Sequence, residues 1–448
     1  MLQVGIGREV ITPSRGIPLC GYFNPRPNTG ILDDLFVRTV IFKQNNVVSG
    51  LVVFDLCFLG TDTIEKIKAG IKAAGMNFGG NLIFSATHTH SGPYPDFLFG
   101  VKPDPKYMEL VKDKAVSSVK QAYANLSQAE LMTGSVKNNP LAFNRRYWMK
   151  NGKVLTNPGK LNPDIVKPEG PVDTEISVLA VKQDGRISAI IANIVNHTDT
   201  IGSDFVSADW PGRMERAIQN AIGYDVPVLT LIGCSGNINH IDVSNGDEYY
   251  SYAETCRVGT TYAGIIGGIL KKLKKLPVAR IAVSSTKLDI PYRTISDVEV
   301  KNAKATLARI GNTASNENLT SEGIATGDGP VAKFFAEQLV EYKKVCSGKS
   351  RRFTLLSIKF DDALAFISIP GEAFTEIGLE IKKRSHFKKT LPISLAMGEC
   401  GYISMPECFS RGGYEILPVA GGGPREDTAK RIIAACIELL NKVIAKVP

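Results

Sequence analysis

Two apolar rhythms divide the chain. A repeat of two runs through Phe36-Val37-Arg38-Thr39-Val40-Ile41-Phe42 and again through 47–54, and the turn Gln44-Asn45-Asn46 between them predicts a hairpin. From Thr61 to Ala74 the spacing becomes helical, with Ile64, Ile67 and Ile71 on one face. Leu82-Ile83-Phe84 then returns to a strand, giving the strand–helix–strand order of an α/β fold. Further helices are predicted at Tyr107 to Leu126, Trp210 to Ala221, Tyr252 to Leu276 and Ala373 to Lys383. Further strands are predicted at Ile176 to Val181, Ile187 to Val195, Val226 to Ile232, Arg280 to Ile295, within Phe353 to Ile369, and at Leu391 to Met397. Asn138 to Asn157 reads as polar and turn-rich. The stretch Arg425 to Val447 carries apolar residues at 432, 433, 436, 437, 440 and 444, a helical stripe. Two helical patterns within 296–350 flank Asn312 to Gly329, a loop with either a lid or a plain surface role. No internal repeat of fixed period stands out. The expected architecture is α/β, with mixed β-sheets flanked by helices in one large domain over 1–448 and a helical or loop excursion at 296–350.

Composition narrows the class. The chain has 448 residues, 44% hydrophobic and 22% charged, which fits a globular protein with a sizeable core. Its net charge of +9 comes from 53 basic and 44 acidic residues mixed along the sequence, without a long basic tract. Basic residues are not interleaved with aromatics in a stripe, so a nucleic-acid partner is not expected. The lysines at 271, 272, 274 and 275 fit the C-terminal end of the helix predicted there. None of the eight cysteines forms a CxxC, and free buried thiols are expected. Met1 leads straight into a strand-like run without a signal peptide, so a cytoplasmic location is the default; a chain trimmed of its leader reads the same way. No apolar run approaches membrane-spanning length.

The chemistry lies just beyond the strands. His88, His197, Asn237 and Glu372 each follow a strand-like run, where α/β sheets bind ligands. In an extended chain His88 and His90 share a face, which aims one imidazole at a metal and holds the second beside it for proton transfer. The chain has only five histidines. His240 reads as a loop residue at the surface, with pocket lining as the other role, and His386 sits among lysines as a solvated residue. Asp55 and Asp209 have partnering of ligand histidines and plain turn or capping roles open to them. Glu372, after Pro370-Gly371, suits a helix cap as well as a ligand. Cys234, Cys400 and Cys408 read as neutral thiols.

Taken together, the motifs resemble the N-terminal catalytic domain of the neutral (non-lysosomal) ceramidase family. The resemblance rests on GIGREVITP with Gly21-Tyr22, ATHTHSGP at 86–93, FNRR at 143–146, NHTDT at 196–200, SADWPG at 207–212, PGE at 370–372 and GYISMPECFSRGGYE at 401–415, in that order. It implies a zinc amidase in which His88, His197, Glu372 and Tyr402 ligate Zn²⁺. His90 would then handle the proton, and Arg145 and Tyr414 would hold the substrate carbonyl and its oxyanion. Zinc with nitrogen and oxygen ligands and an open position lowers the pKa of bound water towards about 7 and polarises a carbonyl. The implied partner is a small-molecule N-acyl substrate, ceramide-like or smaller and more polar.

Two departures from the family keep a smaller or more polar N-acyl compound open as an alternative to ceramide. Asn237 and Asn239 stand where the family has Asp and Ser, which removes a serine nucleophile at that position. The 448 residues are also too few for the family's additional C-terminal β-sandwich. Two other classes compete. A metallophosphoesterase or esterase shares the HxH and Asn-His pattern, but neither an early Asp-x-His nor a late Gly-His-x-His is present. A non-catalytic zinc-binding homologue would explain Asn237 and Asn239.

Overall fold

The computed structural model describes residues 1–311 and 329–442. Among these, three sheets carry the fold, and each follows one plan. In the first, β1 (Gln3–Val10) pairs antiparallel with β2 (Phe36–Gln44), and β2 with β3 (Val47–Phe54). Helix α1 (Thr61–Ala73) then crosses over and β4 (Leu82–Ala86) returns parallel to β3. Helix α2 (Pro105–Ala124) leads to the second sheet: β5 (Glu130–Lys137), β6 (Glu175–Gln183), β7 (Arg186–Ile194), the crossover α3 (Asp209–Ile222), and β8 (Val228–Ile232) parallel to β7. Helix α4 (Tyr252–Leu270) leads to the third. There β9 (Ile281–Pro291) is followed by α5 (Asp297–Ile310) and α6 (Gly329–Val345). The sheet continues with β10 (Ser350–Phe360), β11 (Leu364–Ser368), the crossover α7 (Thr375–Arg384), and β12 (Lys389–Ile393) parallel to β11. Helix α8 (Thr428–Asn441) follows.

The alternation that predicts the strands also fixes their packing, because successive side chains leave a strand on opposite faces. Val40, Phe42, Leu51, Val53 and Ile83 point into a core shared by all three sheets. Leu179, Ile191, Leu229 and Leu231 reach it from the second sheet, and Leu356, Ile358, Phe366, Leu391 and Ile393 from the third. The intervening residues face helices. Ile41, Val52 and Phe84 pack on Ile64, Ile67 and Val111 of α1 and α2. Val178, Ile190 and Ile232 pack on Trp210, Met214 and Tyr262 of α3 and α4. Leu355, Ala365 and Ile367 pack on Ile377, Ile432 and Cys436 of α7 and α8. The central strands of each sheet are therefore covered on both faces, while β5 and β9, towards the sheet edges, are partly exposed.

Some boundaries differ from expectation. The helix predicted to reach Leu276 ends at Leu270, and Lys274–Leu276 instead pairs with β5. Pro277 disfavours a helical conformation in the residue before it, and buried Leu276 belongs to the shared core. The turn-rich stretch at 138–157 holds short strands at Phe143–Asn144, Arg146–Met149 and Val154–Thr156. The excursion is helical at both ends, and Phe334 of α6 is buried against Phe23. The loop predicted from Asn312 lies outside the described residues up to Gly329, which opens α6. All eight cysteines are free. Among the described residues, no helix is long and apolar enough to cross a membrane.

Candidate metal centre

The strand ends converge. His88 and His90 follow β4, His197 follows β7, Glu372 follows β11, and Tyr402 lies beyond β12. His88 is not extended: its φ is +67°, so the shared face expected of His88 and His90 does not arise from strand geometry. A turn brings them together instead. Thr87 N–H donates to Phe54 O at 2.8 Å and His88 N–H to Leu56 O at 2.9 Å, which bends the chain over the end of β3. Thr198 Oγ1 donates to Thr87 O at 2.7 Å and ties the His197 loop to this turn. Arg26 holds the His90 carbonyl at 2.6 Å. Gly21, with φ +105°, lies so close that a Cβ there would stand 2.4 Å from His90 Cγ. Glu372 is set by a two-residue parallel pairing with Tyr402, and Gly371, φ +66°, permits the approach of the 400–401 backbone.

The side chains meet over a few ångströms. His88 Nε2 lies 3.0 Å from His197 Nε2 and 3.3 Å from His90 Nε2. Glu372 Oε2 lies 3.3 Å from His88 Nε2 and 4.0 Å from His197 Nε2. His88 Nδ1 is 2.7 Å from Cys57 O; a carbonyl only accepts, so Nδ1 carries a proton and Nε2 is the nitrogen that can face a cation. Trp210 Nε1 donates to His197 O at 2.8 Å and fixes that backbone. Tyr402 and Tyr414 place their hydroxyls 3.5 Å apart. The Arg145 guanidinium lies 5.2 and 5.3 Å from their ring centres, and it donates to Glu415 at 3.1 Å and to Gly236 O at 2.6 Å.

The electrostatics are those of a site built for positive charge. Burial opposes a proton on His88, but Cys57 and Glu372 favour it, and the balance lifts its pKa well above the ordinary range. Burial, then His88 and Arg145, holds His197 well below that range. Burial brings His90 down to about 4, although Asp199 opposes the shift. Burial would raise Glu372, yet His88 outweighs it and the carboxyl is held low. Glu372 Oε2 is buried and makes no hydrogen bond among the described residues.

These donors fit a divalent cation. Ligand atoms around a tetrahedral zinc with bonds of ~2.0–2.1 Å stand about 3.3 Å apart, which suits two imidazole Nε2 atoms and one carboxylate oxygen. The three donor atoms of His88, His197 and Glu372 all lie within 4.8 Å of one another. Burial, then Glu372 and Tyr414, pushes the Tyr402 phenol well above its ordinary pKa, so only a nearby cation would make it a phenolate ligand.

No family model matches the chain. Neutral ceramidase of Pseudomonas aeruginosa is 27% identical over 214 residues, which make up 44% of this chain and 30% of that protein. The solved structure of that bacterium's neutral ceramidase has the same fold: TM-score 0.73, 17% identity, covering 98% of this chain and 74% of the other. A ceramidase solved in complex with C2 gives the same TM-score and coverage at 16% identity. The chain therefore shares the fold of neutral ceramidase, and just under half of it is similar to that protein in sequence. The sequence match spans less than a third of the curated relative's length.

Within this ceramidase fold, His88, His90, His197, Glu372, Tyr402, Arg145 and Tyr414 all line one cavity. One expectation is corrected, and three readings left open by the sequence are narrowed. His240 is not a surface residue: it is 5% exposed and lines the same cavity. Asp55 and Asp209 contact no ligand imidazole. Asp55 binds Arg38 at 2.7 Å, while Asp209 accepts from Thr200 and Trp210. Glu372 does not cap α7. That role falls to Asn237, which accepts Thr375 N–H at 2.8 Å and donates to Glu376 at 2.9 Å. Sequence reasoning missed Asp199, 3.7 Å from His90 Nδ1, although its place two residues after His197 was a signal. It also missed Glu399, whose carboxyl is raised by burial and Glu372 to about 8, and Glu415, which anchors both Arg145 and Arg146.

Proposed function

We propose that the chain is a zinc-dependent amide hydrolase that cleaves the amide of an N-acyl substrate, a ceramide-like lipid or a smaller N-acyl compound. The convergence of His88, His90, His197 and Glu372 in a cavity of about 170 Å³ carries this reading. A cation held by His88, His197, Glu372 and Tyr402 supplies a Lewis acid for the carbonyl and a water whose pKa falls towards about 7. The remaining chemistry belongs to the chain. His90 is neutral at physiological pH and accepts the proton of the attacking water at a ring nitrogen, then delivers it to the leaving nitrogen. Arg145, fixed by Glu415 and Gly236 O, presents a standing positive charge to the developing oxyanion. Burial keeps the Tyr414 hydroxyl protonated, so it donates to the same oxygen. Phe23, Phe99, Phe335, Leu98, Leu417 and Val419 form an apolar wall suited to the acyl group and to excluding water.

The test is a panel of N-acyl compounds of graded acyl length, assayed before and after chelation and zinc readdition. Amide cleavage that chelation abolishes and zinc restores is expected. Cleavage indifferent to chelation, or turnover of phosphomonoesters in place of amides, would overturn the proposal.

A further inference from the structure

The cavity is also lined by the polar side chains of Tyr22, Asn157, Asp199, Asn239, His240 and Tyr250. Their donors are directed at one another. Asn239 Nδ2 donates to Asn157 Oδ1 at 2.8 Å, and the hydroxyls of Tyr22 and Tyr250 donate to Asp199, the latter at 3.4 Å.

His240 Nε2 lies 2.6 Å from the Tyr249 carbonyl oxygen. A carbonyl cannot donate, so Nε2 carries the proton. Burial lowers the pKa of the ring, which is therefore neutral, and Nδ1 is left as a lone pair. Nδ1 is buried without a hydrogen-bond partner among the described residues. An acceptor removed from water and left unpaired is costly, and a ligand donor would relieve that cost. Asn239, in a two-residue strand, and His240 follow β8, and Asp199 lies in the loop after β7. Asp199 also lies 3.7 Å from His90 Nδ1, and His90 is the residue assigned to the leaving nitrogen.

We propose that His240 and Asp199 form a subsite that reads a hydrogen-bond donor, a hydroxyl or an ammonium, on the amine side of the N-acyl substrate. This rests on the amide-hydrolase reading, because that reading sets which half of the substrate lies beside His90. A substrate whose amine half ends in a plain alkyl group leaves Nδ1 unpaired, and a site built to bind a hydroxyl discriminates strongly against an analogue lacking it.

The experiment uses N-hexanoyl-ethanolamine, N-hexanoyl-ethylenediamine and N-hexanoyl-propylamine, which share an acyl group and differ in the terminal hydroxyl, ammonium or methyl. The wild-type protein should favour at least one donor-bearing compound over the propyl compound by at least about tenfold in kcat/KM. The hydroxyl and ammonium arms separate the two sources. His240→Leu should bring that ratio close to one, whereas His240→Asn, which can return an acceptor oxygen near the Nδ1 position, should retain part of it. Both variants lose the contact with Tyr249 O, so their difference isolates the acceptor. Equal turnover of all three compounds by wild type, within about twofold, overturns the subsite and leaves the amide hydrolase standing.

If none of the three is cleaved, these amides give the hydrolase reading no support, and binding decides the subsite. In protein carrying nitrogen-15 histidine, the unprotonated Nδ1 signal of His240 should move with the donor-bearing compounds and not with the propyl compound. No movement with any of them, or a His240 that carries its proton on Nδ1, overturns the inference. These wild-type measurements also decide the matter if His240→Leu fails to fold.

Discussion

At the scale of single residues, the site depends on two departures from regular backbone. His88 takes a left-handed conformation, and Gly21 lets the chain touch the His90 ring. A methyl group at position 21 would overlap that ring and would also strain a φ of +105°. Gly21→Ala is therefore expected to lower kcat by at least about tenfold through displacement of His90, with bound metal retained, as read by steady-state kinetics and elemental analysis. Retention of full rate would show that the position of His90 does not matter. Removing His90 itself should cost about 10²–10⁴ in kcat, the range of a general acid–base residue, with metal retained. Tyr414→Phe should cost about 10²–10³, as loss of one oxyanion donor does. Some of this was legible in the sequence: the HxH, the His after β7 and the Glu after Pro-Gly mark strand ends. Other parts were not. Asp199 is held by Tyr22, 177 residues away, and His240 by the carbonyl of Tyr249, nine residues on; neither contact shows in the apolar pattern. Tyr402 is one of fourteen tyrosines, and only the family resemblance singled it out.

At the scale of elements, loops from one sheet secure helices of another. Helix α7 has no capping side chain of its own, and Asn237, from the loop after β8, takes its first N–H. Asn237→Ala removes that bond and leaves Glu376, a half-exposed carboxyl, without its amide donor. A loss of about 1–2 kcal/mol is expected from urea denaturation, the upper range for a lost cap. A change below about 0.3 kcal/mol would mean that the helix start is held by packing alone. The sequence placed Asn237 correctly after a strand but gave no sign that its partner was 138 residues away. Helix and strand identity followed from apolar periodicity almost throughout. The errors fell where periodicity is silent, such as the segment before Pro277.

For the whole molecule, one strand plan is used three times, and the candidate ligands come from the ends of its third and fourth strands. The α/β class was legible because strand-like and helical apolar runs alternate along the chain. The threefold plan was not, because the first strands begin at residues 3, 130 and 281 and the connections between them differ. The sheets are also tied by charge. Lys389 of β12 and Lys382 of α7 both bind Glu175 of β6, and Lys382 binds Asp173 at 2.7 Å. Burial would raise the Glu175 carboxyl, but the two lysines hold it down at about 2. Its ordinary value is about 4.3, so between these limits the unfolded chain binds the proton and the native protein does not. The contribution is complete above the ordinary value and is lost as pH falls towards about 2. Glu175→Gln should flatten the decline of stability in this acid window, measured by denaturation at stepped pH, and an unchanged slope would remove the tie from the account.

The central claim is that residues from three sheets together hold one divalent cation. Metal content of the purified protein tests it most directly, measured for wild type and for His88→Ala and His197→Ala. The account predicts about one equivalent of divalent metal per wild-type chain and almost none in either folded variant. A wild-type protein that hydrolyses its substrate without metal, or a His88→Ala protein that keeps its full complement, would contradict it.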